Sequence, residues 1–262
     1  MTRTNLLIGL LMSSAALNAC DSSAPGGSGQ ISFNVATQAM GSVAAGPAAV
    51  ADTLVDGGGN ELVLTRIELV LRDIEFKRQN HDDCDSLTAD DDGCEEFEAG
   101  PILVNLPIGA GAAHELSIAV DSGTFDELEL KVHKPEDDGD ARDAAFLAAH
   151  PDFKDVSIRV TGTFNGAAFT FVSDLNADQE LALSPPLTVS TQSDVAVTLM
   201  VDVSRWFLSG AQLIDPALAL KGGSLENLVK NNIEASFDAF NDDDGDGHDD
   251  SGPDGASRMP PW

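Results

Sequence analysis

Tyrosine is missing altogether from this 262-residue chain, and aromatic side chains make up only 5% of it. An outer-membrane barrel carries aromatic girdles at both interfaces, so the composition argues against that architecture. Basic residues are scarce: 14 Lys and Arg stand against 44 Asp and Glu, for a formal net charge of −30. A surface this acidic repels phosphate, which excludes nucleic acid as a partner. Beyond the N-terminus no stretch approaches the ~18 apolar residues of a membrane-spanning helix. The marks of familiar catalysis are also lacking, with no G-x-S-x-G elbow, H-E-x-x-H helix, P-loop or dinucleotide fingerprint. His114-Glu115 has no second His at the needed spacing, and His81, His133 and His150 are scattered. The expectation is therefore a protein that is not an enzyme. A secreted hydrolase with a carboxylate-built site stays open as the alternative, because among so many acids adjacency in sequence carries no information. Hydrophobic residues, at 42%, supply enough apolar surface for a folded core.

The N-terminus holds the most specific pattern present. Arg3 precedes the short apolar run Leu6–Met12, which is too short to span a bilayer and reads as an export signal. Leu17-Asn18-Ala19-Cys20 resembles the lipobox of bacterial lipoproteins. That resemblance implies a signal peptide over 1–19, diacylglycerol on the Cys20 sulfur and acylation of the new amino group, giving a stable membrane anchor. An ordinary signal peptide with an incidental Cys is the plainer alternative. Residues 20–30, rich in Gly and Ser, then form a flexible tether. The expected location is the bacterial cell envelope, on the inner or outer membrane, periplasmic or surface-exposed. With Cys20 lipidated, Cys84 and Cys94 remain as a pair in an oxidising compartment, and a disulfide between them contributes about 2–3 kcal/mol. A metal site built from these thiols and His81 is the sharper alternative, but the C-x-x-C spacing is absent.

Residues 31–223 read as a β domain. Alternation marks strands at Ile31, Phe33 and Val35, at 102–108, 115–121 and 127–133, and along Val195 to Val203. Residues 40–60 are Ala/Gly-rich and read as a loop. Over 61–78 the apolar parity shifts twice, which predicts a bulge or a short break. Asn165-Gly166 between two alternating runs predicts a tight hairpin turn. About eight or nine strands result, spaced as in an antiparallel sandwich. After Ser224, the residues Leu225, Leu228, Val229, Ile233, Phe237 and Phe240 recur at near-helical spacing, predicting one amphipathic helix over 224–240 packed on the sandwich. Trp206 is expected in the core.

The runs Glu68–Phe76 and Asp126–Leu130, with Val201-Asp202-Val203 before Trp206, resemble a family of uncharacterised bacterial lipoproteins over about residues 30–240. That resemblance implies an Ig-like or prealbumin-like sandwich and no assigned activity.

The acidic tail, 241–262, carries the one ligand-like spacing. Asp242, Asp244 and Asp246 fall at positions 1, 3 and 5 of a D-x-D-x-D-G loop, with Gly247 as the turn, the His248 carbonyl at position 7 and Asp250 at position 9. Hard oxygens in this order converge on Ca²⁺, and the run resembles the loops of EF-hands, dockerins and thrombospondin type 3 repeats. Pro253 stands where such loops place a bidentate Glu, so the expected affinity is weak, on the order of 10⁻⁴–10⁻³ M. A solvated acidic tail is the bland alternative, and the tail is expected to be disordered, its Gly/Pro-rich end at 251–262 above all. A second acidic segment around Asp82–Asp92 lacks ligand spacing and reads as an exposed loop. Together these features predict a lipid-anchored envelope protein with a binding, adhesion or surface-structural role toward an envelope protein or glycan. A carbohydrate-binding module is disfavoured by the few aromatics.

Overall fold

The computed structural model describes residues 28–38, 52–79, 94–97, 100–108, 112–137 and 139–250. Their elements, in chain order, are β1 (Ser28–Thr37), β2 (Asp52–Val55), β3 (Glu61–Arg78), β4 (Cys94–Phe97), β5 (Ile102–Asn105), β6 (Ala112–Asp121) and β7 (Gly123–Val132). Helix α1 (Ala141–Ala149) is followed by β8 (Ile158–Phe164), β9 (Ala167–Ser173), β10 (Ala177–Val189) and β11 (Asp194–Val201). The short strands β12 (Leu208–Ser209) and β13 (Gln212–Leu213), helix α2 (Glu226–Glu234) and β14 (Phe237–Asn241) complete the fold.

The chain is mainly β, as predicted, and its two large sheets pack face to face. The smaller sheet has the order β14-β11-β1-β6. The larger is built on β3, whose one edge pairs with β8 and then β7, while β2, β5 and β4 follow one another along the other. Strand β9 pairs with β8, and β10 with β7. Alternating residues turn inward from both sheets: Ile31, Phe33 and Val35 of β1 and Val197, Leu199 and Val201 of β11 meet Leu62, Leu69 and Phe76 of β3 in one core. Trp206 is fully buried there, and its indole N–H donates to Ser236 Oγ at 2.8 Å.

The double parity shift over 61–78 is a pair of bulges within one 18-residue strand. Thr65 is the extra residue against β8, and Asp73, with φ of 48°, marks the second against β7. At the first bulge the backbones approach so closely that a Cβ on Gly162 would lie 1.9 Å from Val63 O, so glycine is required. Asn165 and Gly166 both take positive φ, as the predicted hairpin turn demands.

Several expectations need correction. The sheets are not wholly antiparallel, because β1 and β11 run parallel in register from Gln30 with Asp194 to Thr37 with Val201. Fourteen strands occur among the described residues instead of eight or nine, since strands of two to four residues are too short to alternate; one of them, β2, lies in the segment read as a loop. The C-terminal helix covers 226–234 and not 224–240. Phe237 and Phe240 lie instead in β14, which pairs antiparallel with β11. The first ten residues of the acidic tail, 241–250, fold as an ordered loop. Helix α1, which the strand-oriented reading missed, is capped by Asp140 Oδ1, which accepts from the backbone N–H of Arg142 and Asp143. It covers the outer face of the larger sheet through Phe146, which joins Val70 and Phe153 in a second small core. The expectations for residues 1–27, for Cys20, for Cys84 with His81, and for Asp82–Asp92 lie outside the described residues. Of Cys94 only the backbone, at the start of β4, is described.

Candidate metal centre

Strand β14 delivers the acidic loop to the outer face of the smaller sheet. The Asp242 N–H still donates to Ala196 O at 3.1 Å, extending the β14–β11 ladder by one residue. The chain then turns back on itself, so that the Asp250 N–H donates to Asn241 O at 3.1 Å and closes the loop. Positive φ at Gly245 (71°) and Gly247 (84°) permits the tight path, at positions where a side chain would be strained. At its base, Asn241 Nδ2 donates to Pro185 O at 2.9 Å and ties β14 to β10.

Asp242 organises the loop. Its side chain is fully buried, and both oxygens are engaged: Oδ1 accepts from the Asp246 N–H at 3.0 Å, and Oδ2 accepts from the Gly247 N–H at 3.0 Å and from the Thr198 hydroxyl. Asp244 lies exposed and Asp250 half-buried beside it. One carboxylate oxygen from each of Asp242, Asp244 and Asp250 lies within 4.8 Å of the other two. No Lys or Arg among the described residues pairs with any of the three. Three carboxylates this close repel one another unless a cation lies among them. An all-oxygen, all-carboxylate donor set is the chemistry that hard divalent ions select.

The structure thus gathers three of the five predicted ligand residues. Asp246 is placed differently: its Oδ1 accepts from the His248 N–H at 2.9 Å and faces His248 Nδ1 at 3.0 Å, and its carboxylate lies outside the cluster. The spacing D-x-D-x-D located the loop, but it could not tell which carboxylates its turns consume internally.

Sequence reasoning missed what borders the loop. A cleft of about 350 Å³ lies between it and the sheet face, lined by Ser32 and Asn34 of β1, His114 of β6, and Asp243 and Asp244. Histidine 114 is held there, its Nδ1 meeting Asn34 Oδ1 at 3.1 Å and its Nε2 meeting Ser117 Oγ at 3.3 Å. An amide oxygen only accepts, so Nδ1 carries the proton and Nε2 accepts from the Ser117 hydroxyl. Next to it, Glu115 is the extra residue of a bulge between β6 and β1, and burial pushes its carboxyl up to about 7. No known protein family, curated protein or solved structure matches this chain.

Proposed function

We infer that this chain is a non-enzymatic, lipid-anchored β-sandwich of the bacterial cell envelope, with a binding, adhesion or surface-structural role and a Ca²⁺ site in its 242–250 loop. The observation that carries this reading is the convergence of Asp242, Asp244 and Asp250, with which no Lys or Arg pairs among the described residues. In this reading the ion offsets two of the three carboxylate charges and pins the end of β14 to the sandwich. Asp242 is already oriented by its three donors, so binding orders only Asp244 and Asp250. Three carboxylates supply part of the six to eight oxygens that Ca²⁺ takes, which agrees with weak affinity. The lipobox-like Cys20 and the tether after it support an anchor upstream of β1.

Calorimetric titration of the chain with Ca²⁺ is expected to give a Kd on the order of 10⁻⁴–10⁻³ M. Asp244→Ala together with Asp250→Ala should weaken it at least about tenfold, a change of ~1.4 kcal/mol. An unchanged titration in that double variant would remove the calcium reading. Membrane fractionation of Cys20→Ala should move the protein to the soluble fraction, and its retention in the membrane fraction would remove the anchor.

A further inference from the structure

We propose that Asn165 is a site of spontaneous deamidation, gated by opening of the β8–β9 hairpin tip, and that conversion there unlatches the hairpin from the turn between β2 and β3. The proposal is independent of the calcium reading. Asn165-Gly166 is the only Asn-Gly step in the chain. Both residues are exposed, and the space a Cβ would take on Gly166 is open, with nothing within 4 Å. Glycine offers its backbone nitrogen without a side chain in the way. The Gly166 nitrogen gives its proton to hydroxide and attacks Asn165 Cγ. The N–Cγ bond forms, the Cγ–Nδ2 bond breaks, and Nδ2 leaves as ammonia with a proton from water. Water then opens the five-membered imide at either carbonyl, leaving an aspartyl or an isoaspartyl link.

The folded hairpin resists this step. Phe164 pairs with Ala167, so Asn165 and Gly166 form a two-residue loop, and their φ values of 51° and 79° are those of a type I′ turn. Ring closure needs Asn165 Cβ and the Gly166 nitrogen eclipsed about the Cα–C bond, whereas the I′ turn holds them nearly opposite. The side chain is held as well. Asn165 Oδ1 accepts from the Glu61 N–H at 2.9 Å, and its Nδ2 donates to Asn60 Oδ1 at 3.1 Å. The Asn165 N–H donates to Glu61 O at 2.8 Å. The reactive geometry is reached only by breaking these bonds, so conversion requires local opening.

The product cannot restore the latch. Hydrogen bonds run in one direction from the hairpin to the turn: Asn165 Nδ2 donates to Asn60 Oδ1, and Asn60 Nδ2 donates to Asp56 Oδ2 at 2.9 Å. The Asn60 amide, with the backbone N–H groups of Leu213, Asn60 and Gly58, holds the Asp56 carboxyl down at about 2. Asp56 is therefore a carboxylate and only accepts. Deamidation puts a second carboxylate at position 165, so Asn60 stands between two acceptors and its amide can turn its NH₂ to one alone. Turning toward position 165 aims Asn60 Oδ1 at Asp56, and staying in place leaves it facing the new carboxylate. An isoaspartyl link also adds a backbone methylene to a loop whose length sets the hairpin register.

Peptide mapping by mass spectrometry of the full chain, folded and in urea at the same mildly alkaline pH, tests this through the gain of one mass unit at Asn165. In urea Asn165 should convert faster than every other Asn. In the folded chain conversion should be at least about tenfold slower, the combined effect of three hydrogen bonds of modest net strength. Asn60→Ala should speed conversion in the folded chain about threefold to tenfold and leave the rate in urea unchanged. Asn165→Asp, which reproduces the aspartyl product, should speed hydrogen exchange at the amide of residue 165 by a similar factor and leave β1 and β11 as in the parent. A folded rate equal to that in urea, no conversion in folded Asn60→Ala, or a folded rate that Asn60→Ala leaves unchanged overturns the gate. Parental exchange at residue 165 in Asn165→Asp overturns the unlatching.

Discussion

Asp242 has two roles that point mutations can separate. Its carboxylate accepts from the N–H groups of Asp246 and Gly247 and from the Thr198 hydroxyl, and the last two of these bonds are buried. Removing it strands buried donors, each costing about 1–3 kcal/mol, whether or not an ion is present. Asp244 and Asp250 carry no such internal load: in the described contacts only the Asp246 N–H reaches Asp244, at 3.1 Å, and only the Asp244 N–H reaches Asp250, at 3.4 Å. Urea unfolding in EDTA should therefore show Asp242→Ala destabilised by about 3 kcal/mol. Asp244→Ala and Asp250→Ala should stay within ~0.5 kcal/mol of the parent there. Saturating Ca²⁺, at about 100 times Kd, should stabilise the parent by ~2.7 kcal/mol and the Asp244 and Asp250 variants much less. Equal losses for all three in EDTA would mean that Asp242 is only a ligand.

At the scale of elements, α1 illustrates a helix that the rest of the fold must hold. Nine residues are too few for a stable helix in water. Its docking rests on Phe146 against Val70 and on Asp143, which is 1% exposed and takes a two-pronged contact from Arg72 at 3.0 and 3.1 Å. Asp143 Oδ1 also accepts from the Glu136 N–H at 2.7 Å. Cutting one side of such a pair leaves a buried charge, so Asp143→Ala should cost about 3–5 kcal/mol. The double variant Arg72→Met with Asp143→Leu should recover most of that, and denaturant titrations of the three proteins decide it. Additive losses would mean that the pair does not act as a unit. Elements like this one also mark where the sequence stops being legible. The alternation of β1, β7 and β11 announced them, and the parity shifts announced the bulges in β3, because one face of each strand is buried in one core. Helix α1 fell among strand signals and is too short to establish a period. At the C-terminus Phe237 and Phe240 stand three apart and continue the helical spacing of Val229 and Ile233. The true period of β14 runs through Ala239, which is too small to register as apolar punctuation, and no Gly or Pro marks the break at Ala235. The parallel pairing of β1 with β11, nearly 160 residues apart, has no local signature at all. The acidic loop was legible as spacing, whereas the cleft beside it was not, because Asn34 and His114 meet only through the register of β1 with β6.

For the molecule as a whole, a formal charge of −30 works against compaction, and the sheet register sharpens the effect. Glu75, Glu129 and Glu180 stand directly opposite one another across β3, β7 and β10. Like charges so placed are destabilising. Lys77 offsets part of this: burial works against its charge, but Glu129 and Glu127 outweigh that and push it up to about 12. Titration should expose the balance. Glu115, raised to about 7 by burial, favours the fold in its protonated form; that contribution is complete below its ordinary value of 4.5 and is lost as pH rises through 7. Asp174 behaves oppositely. The Lys221 and Lys230 ammonium groups hold it near 2, so its contribution is present above 3.8 and is lost as pH falls toward 2. In EDTA at low ionic strength, Tm should therefore climb as pH is lowered from 8 to about 5 and fall again below about 4. Glu115→Gln should be more stable than the parent at pH ~8 and equal to it near pH 5, because only the parent has a charge to bury. Added salt should raise Tm at pH ~8 by screening the acidic surface, and should do so less near pH 5. A Tm that stays level between these two pH values, with Glu115→Gln tracking the parent throughout, would mean that neither the Glu115 carboxyl nor the net charge limits this fold.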